Sequence, residues 1–367
     1  MRDGWVETTF GDVFKIVAGK YVAKEEYVEG GEFWIYGSNS IMGKLDRFLV
    51  QQSHVIMAAI GAYAGAVRYS KEPSWINNNA MALVPSEKVM AKYLYLWLES
   101  MFDLKRVVVG TGQPYVQRPL LLKEIIELPP LLEQKRIVDL ISSVDSYVEA
   151  LQQQLESAKR SRNAVLHELL TAGGADWVER KLPEVVEVLD RMRKPINSTE
   201  REKRKGTIPY YGANGQTGWI DEFIFNEELV LLGEDAIDFA DPSARKAYLI
   251  QGPSWVNNHA HVLRADKTIV NSYFLTESLN KVDYSQYVSF GTRSKLTQAS
   301  MNGIKLLIPP IKIQEKFVDL LENFDEVIET TQKSIEDSKV LRSGVLSDLL
   351  SGEHEIPTTY DKAMGAA

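Results

Sequence analysis

The densest set of charged donors in the chain lies between residues 191 and 206, RMRKPINSTEREKRKG, with seven lysines or arginines against two glutamates. Cationic side chains at that density neutralise phosphates, and a planar guanidinium also pairs with two acceptors on a guanine edge. Asn and Gln present the matching donor and acceptor to adenine. Side chains of these types set in turns are the candidate DNA contacts. In the first half they are Lys20, Lys24, Asn39, Lys44, Arg47, Gln113, Tyr115 and Arg118. In the second they are Arg193, Lys194, Arg204, Lys205, Asn214, Arg293 and Lys295. Each has a plainer reading. A basic run also occurs as solvated surface, and Asn39 and Asn214, two places after a glycine, also suit a turn closed on its own backbone.

The elements that must position these residues are written twice. GWVETTFGDVF from Gly4 returns as ADWVERKLPEV from Ala175, and WIYGSNSIMG from Trp34 as PYYGANGQTG from Pro209. PSWINNNAMAL from Pro73 returns as PSWVNNHAHVL from Pro253, and PPLLEQKRIVDL from Pro129 as PPIKIQEKFVDL from Pro309. The offset grows from 172 to 175 to 180 and then holds, so insertions fall in the front of each half. Two long copies read as a duplicated domain pair with pseudo-twofold symmetry, not as an array of small repeats. The front of each copy has short β-like runs such as HVIMAAI and ELVLLG, with turns at Gly and Asn. One helical stretch interrupts each, at 89–101 and 268–280. Trp75 and Trp255 read as core anchors, with Asn77, Asn78, Asn257 and Asn258 capping backbone.

A long helix follows each Pro-Pro. Apolar or small residues recur in steps of four and three at Ile137, Ile141, Val144, Val148, Leu151, Leu155, Ala158, Val165 and Leu169. The second series is Phe317, Leu321, Phe324, Ile328, Thr331, Ile335, Ser338, Val345 and Leu349. That period predicts a coiled-coil seam. The chain order favours an antiparallel pair, on the order of 60 Å long at the α-helical rise. Arg162 and Arg342 occupy the same phase of the two seams, where a charge must be paired or reach water. They are expected to bond to acids across the rod, to a partner subunit, or to snorkel. The fold class is therefore α+β: two strand-rich domains, 1–129 and 173–309, separated by long antiparallel helices, 130–172 and 310–352, with a frayed tail at 353–367.

A rigid ruler with a similar globule at each end suits a ligand with two separated features, such as duplex DNA read at two half-sites. A protein-interaction adaptor is the other reading, and the net charge of -8 favours it over a free-standing polyanion binder. Catalysis finds little support. There are no cysteines, no GxxxxGK[ST] loop, no HExxH and no Asn-Pro-Pro-aromatic motif. His259 and His261 share a strand face, but their counterparts Asn79 and Met81 argue against a metal. Glu234, Asp235 and Asp238 read as a solvated loop. No apolar run reaches membrane-spanning length and no signal peptide is visible, so the expected location is cytoplasmic.

The repeated aromatic start (Trp5, Trp177), the GSN and GAN turns, and the segments GTGQPYVQ (110–117) and GTRSKLTQ (291–298) carry a resemblance. So do the Pro-Pro blocks running into helices that end LHELL and LSDLL. Together they resemble the specificity subunit of type I restriction–modification enzymes over residues 1 to about 352. The resemblance implies two target recognition domains, each reading half of a bipartite double-stranded DNA sequence, and a non-catalytic chain. It implies two modification (methyltransferase) subunits around the helices, and restriction subunits that translocate DNA. S-adenosylmethionine, ATP and magnesium would belong to those partners, and no cofactor to this chain. Candidate subunit contacts are Glu133, Gln134, Arg136, Arg160, Arg162, Gln314, Lys316 and Arg342. The halves differ where Gln113, Pro114 and Tyr115 face Ser294, Lys295 and Leu296, and in the more polar second seam.

Overall fold

A computed structural model describes residues 4–171, 173–288, 294–357 and 359–360. The chain forms two compact units. One comprises residues 1–153 with 332–367, the other the uninterrupted stretch 154–331.

In the first unit the strands are β1 (Val6–Thr9), β2 (Phe14–Ala18), β3 (Phe33–Tyr36), β4 (Ile41–Leu45), β5 (His54–Ala58) and β6 (Val67–Ser70). β7 (Ser74–Ile76), β8 (Ala80–Pro85), β9 (Val108–Val109), β10 (Tyr115–Val116) and β11 (Ile125–Leu128) complete the set. A four-stranded antiparallel sheet has the order β2-β8-β5-β6. A three-stranded sheet has the order β4-β3-β7, its β3–β7 pair parallel. β5, HVIMA, is buried along its whole length, as a central strand covered on both faces requires. The helix Ala91–Ser100 packs Leu94, Leu96 and Leu98 into a core with Val55, Met57 and Leu83.

The second unit repeats this order. Its strands are β12 (Val178–Lys181), β13 (Val186–Val188), β14 (Ile208–Gly212), β15 (Gly215–Ile220), β16 (Phe225–Asn226) and β17 (Leu229–Gly233). They continue as β18 (Ala247–Ile250), β19 (Pro253–Val256), β20 (Ala260–Ala265) and β21 (Lys305–Ile308). The sheet β13-β20-β17-β18 matches β2-β8-β5-β6, and β15-β14-β19 matches β4-β3-β7, with β14–β19 again parallel. The five-residue growth of the repeat offset lies where the expectation put insertions, in the front part. The connection after β5 is residues 59–66, whereas the one after β17 is the longer 234–246.

The long helices run Leu131–Thr171 and Ile311–Ser351. Pro130 and Pro310 cannot donate, but their carbonyls accept the first helical bonds, from Gln134 and Gln314. Each unit's core takes one end of both helices. Ile137, Val138 and Ile141 join Leu346, Leu349 and Leu350 in the first, and Leu166 joins Phe317, Val318 and Leu321 in the second. Part of the tail expected to fray does not. Ile356 is 5% exposed and lies in the first core, because an isoleucine so close to the helix end can bury its apolar surface there.

Candidate nucleic-acid interface

The two buried tryptophans fix the loops that carry the first cations. Trp75 Nε1 donates to the Lys20 carbonyl at 3.0 Å, and Trp255 Nε1 to the Lys194 carbonyl at 2.9 Å. Both lysine side chains are exposed and have no carboxylate partner among the described residues. Gly19, next to Lys20, must lack a side chain, since a Cβ there would stand 1.9 Å from the Asn77 oxygen. An arginine lies over each indole, Arg47 at 5.0 Å from the Trp75 ring and Arg204 at 4.8 Å from that of Trp255. Each is also tied to acids. Arg47 meets Glu26 at 2.5 Å, and Arg204 meets Asp221 and Glu222 at 2.8 Å each.

Several candidates turn out to be internal fastenings. Arg193 donates to Glu234 at 2.8 Å and to the Ala260 carbonyl at 2.7 Å, and pairs with Asp190 at 3.3 Å. Its side chain is only 14% exposed. Lys295 reaches the other Glu234 oxygen at 2.9 Å. Glu234 is therefore a buried hub and not part of a solvated loop. Burial alone would raise its carboxyl, but the bonds from Arg193 and Lys295 hold it below the ordinary carboxylate range. Asp190 shows the same balance, with burial opposed by bonds from His261 and the Val262 amide. His261 is buried, its ring nitrogens 2.6 Å from Asp190 and 2.9 Å from the Leu296 carbonyl. His259 stays exposed, 2.8 Å from Asp235. Among the described residues no cluster of three potential ligands could hold a metal.

The remaining candidates stay available. Lys24, Arg118 and Lys205 are exposed, with no carboxylate in ion-pair range among the described residues. Asn39 is exposed in the β3–β4 turn. Asn214, in the equivalent turn, bonds to the Ala236 carbonyl at 2.9 Å, and Ala236 has a φ of 55°. Lys44 lies 4.3 Å over the Trp34 ring. Tyr115 is exposed at the start of β10, and Gln113 is exposed just before it. Arg293 lies outside the described residues. Sequence reasoning took Arg201 only as part of the basic run and named neither Trp34 nor Trp219, although both indoles are exposed. The signal was available in the repeat, since Trp34 faces Lys44 across its hairpin just as Pro209 faces Trp219.

On the helices, Gln134 and Gln314 are wholly buried, not outward-facing. Gln134 bonds to the Met90 amide and to the Lys88 and Pro129 carbonyls. Gln314 does the same with the Asn271 amide and the Ile269 and Pro309 carbonyls. Arg162 donates to Asp325 at 2.5 and 3.0 Å, to the Tyr273 hydroxyl at 2.9 Å and to Glu277 at 3.3 Å. Arg342 pairs with Asp145. Glu133 and Arg136 are half-buried, whereas Arg160 and Lys316 are exposed. No helix among the described residues is long and apolar enough to cross a membrane.

Comparison with known proteins gives consistent matches. A family profile described as type I restriction modification DNA specificity domain matches residues 2–160 and again 174–337. A Haemophilus influenzae protein named as a type I restriction enzyme specificity subunit is 31% identical over 166 residues, 44% of this chain and 40% of that protein. The Methanocaldococcus jannaschii type I restriction enzyme MjaVIII specificity subunit is 25% identical over 195 residues, 46% of each. The chain thus spans less than half the length of these two relatives. The crystal structure of a type I restriction–modification S subunit from M. genitalium superposes with a TM-score of 0.67 at 18% identity. That match covers 94% of this chain and 96% of the other, and shows likeness of fold.

Proposed function

Because the chain belongs to the family of the type I restriction modification DNA specificity domain, we propose that it is the DNA-recognition subunit of a type I restriction–modification complex. Each globule, 1–129 and 173–309, reads one half of a bipartite duplex target. The chain does no chemistry itself. Two modification subunits seated along the helices methylate adenine, and restriction subunits cleave. S-adenosylmethionine, ATP and magnesium belong to those partners, and no cofactor to this chain.

One observation carries the reading. Two globules of the same strand order pin the equivalent tryptophan to the backbone of an exposed lysine, Lys20 in one and Lys194 in the other. The scaffold is shared while the surrounding side chains differ, as two unlike half-sites demand. An antiparallel coiled coil with pseudo-twofold symmetry, the long helices at 130–172 and 310–352, supplies the spacing. Its support is the pairing of Asp145 with Arg342 and of Arg162 with Asp325, whose numbers rise along one helix as they fall along the other. On the helices the exposed Arg160 and Lys316, with the half-buried Glu133 and Arg136, are the proposed partner contacts.

The test is modification mapping of DNA from cells that carry this protein with its cognate modification subunit, against cells that lack it. One split motif bearing N6-methyladenine, lost on deletion, is the expected result. A complex that assembles and leaves no motif overturns the proposal.

A further inference from the structure

We infer that the second globule holds a site for one unstacked nucleotide, its base laid on the indole of Trp219 and its phosphate between Arg201 and Lys205. The inference rests on the DNA-recognition reading and adds a ligand state to it.

Arg201, Glu202, Lys205, Gly206 and Trp219 line a cavity of about 350 Å³ on the surface of the second unit. Its walls are fixed from below. Arg204 is held by Asp221 and Glu222, which fastens the segment after the helix Ser198–Lys203 onto the end of β15. Gly206 closes that approach, since a Cβ there would lie 2.2 Å from the Ile220 carbonyl and 2.4 Å from the Asp221 Cα. Arg201 stands 4.7 Å from the Tyr210 ring, and its Nε would be 3.7 Å from a Cβ on Gly218, beside Trp219. Two cations and the Glu202 carboxylate leave one net positive charge, which matches one phosphodiester.

The aromatic floor separates this site from a plain phosphate clamp. Trp219 is 55% exposed, and no cation lies over its ring among the described residues. The exposed indole of the first globule differs, because the Lys44 ammonium already sits 4.3 Å over Trp34. An open indole face flanked by cations is the combination that binds single strands, the ring taking a base and the cations its backbone. Duplex phosphates alone would not use the ring.

The full-length chain, alone and assembled with its cognate modification subunit, is titrated with a fluorescein-labelled short dT oligonucleotide and a labelled mixed-sequence duplex, reading affinity from the label's anisotropy and the quench from tryptophan fluorescence. The oligonucleotide is expected to quench the wild type. Trp219→Ala is expected to remove that quench and weaken dT binding about tenfold, a stacking-sized loss, and by more than it weakens duplex binding. Trp219→Phe, which keeps a ring, should retain most of the affinity. Quenching that survives Trp219→Ala, or equal weakening for dT and duplex, overturns the site. Duplex binding without dT binding overturns the site alone, whereas binding to neither removes the DNA reading as well.

Discussion

Arg162 donates to both carboxylate oxygens of Asp325, and the pair is the repeat-mate of Arg342 with Asp145, each residue standing 180 positions from its equivalent. An arginine in step with the apolar series of its helix is thereby neutralised inside its own chain. The two pairs are unequal. Arg162 also serves Tyr273 and Glu277, and its side chain is 12% exposed against 23% for Arg342.

Removing the more buried partner should cost more. Arg162→Leu leaves Glu277, 5% exposed, without one of its two arginines. The expected loss is about 3 kcal/mol for breaking a buried pair. Arg342→Leu should cost about 1 kcal/mol, nearer the value for exposed pairs. Urea unfolding of the two variants measures both, and equal losses would contradict the asymmetry.

Gln134→Ala and Gln314→Ala should each destabilise by about 2 kcal/mol, because each strands a buried amide and two carbonyls. Glutamate at either position should be as damaging, since it cannot donate to those carbonyls. Thermal melts of the four variants decide this. A neutral Gln314→Glu would show that water enters the joint.

Neighbouring residues in the basic run should behave oppositely. Arg193→Ala should lower the stability of the second unit, because Glu234 and Asp190 lose their shared cation. Lys194→Ala should leave the melting temperature in place and weaken binding to all duplexes alike. Its salt slope should fall by about one. A Lys194→Ala protein with altered sequence preference and an unchanged slope would mean that the side chain reads a base.

Acid should loosen the first unit near neutral pH. His54 is buried, its ring nitrogens against the Gln52 carbonyl and Ser74 Oγ, and burial holds its pKa below the ordinary histidine value of about 6.5. The unfolded chain therefore takes up a proton more readily than the folded one. The stability is complete above about pH 6.5 and is lost as pH falls through the folded value. His54→Gln should flatten this dependence in melts between pH 7.5 and about 5. A slope that persists in the variant would assign it to other groups.

The repeat and the two helix starts were legible because the likeness of the two halves, the apolar period and the Pro-Pro pairs are properties of the chain itself. Helix onset at Leu131 and Ile311 follows directly from the preceding prolines. What stayed hidden depends on side chains far apart in sequence. Gln134 looks like one more polar helix residue until Lys88 and Met90 are brought to it. Arg193 and Lys194 are equally cationic in the sequence, and only the fold delivers Glu234 to one of them. Glu234 itself looked solvated because its partners lie 41 and 61 positions away.

The first unit is discontinuous, built from residues 1–153 and 332–367, whereas the second is one unbroken stretch. Synthesis from the N-terminus therefore finishes the middle of the protein before its beginning. Residues 154–331 have every partner they need once Thr331 has left the ribosome, while the opening strands wait for Leu346, Leu349 and Ile356 to arrive. A nascent chain halted just after Thr331 should carry a protease-resistant centre and a cleavable leading domain. The last turn of the last helix acts as the latch on the domain that leaves the ribosome first and closes last.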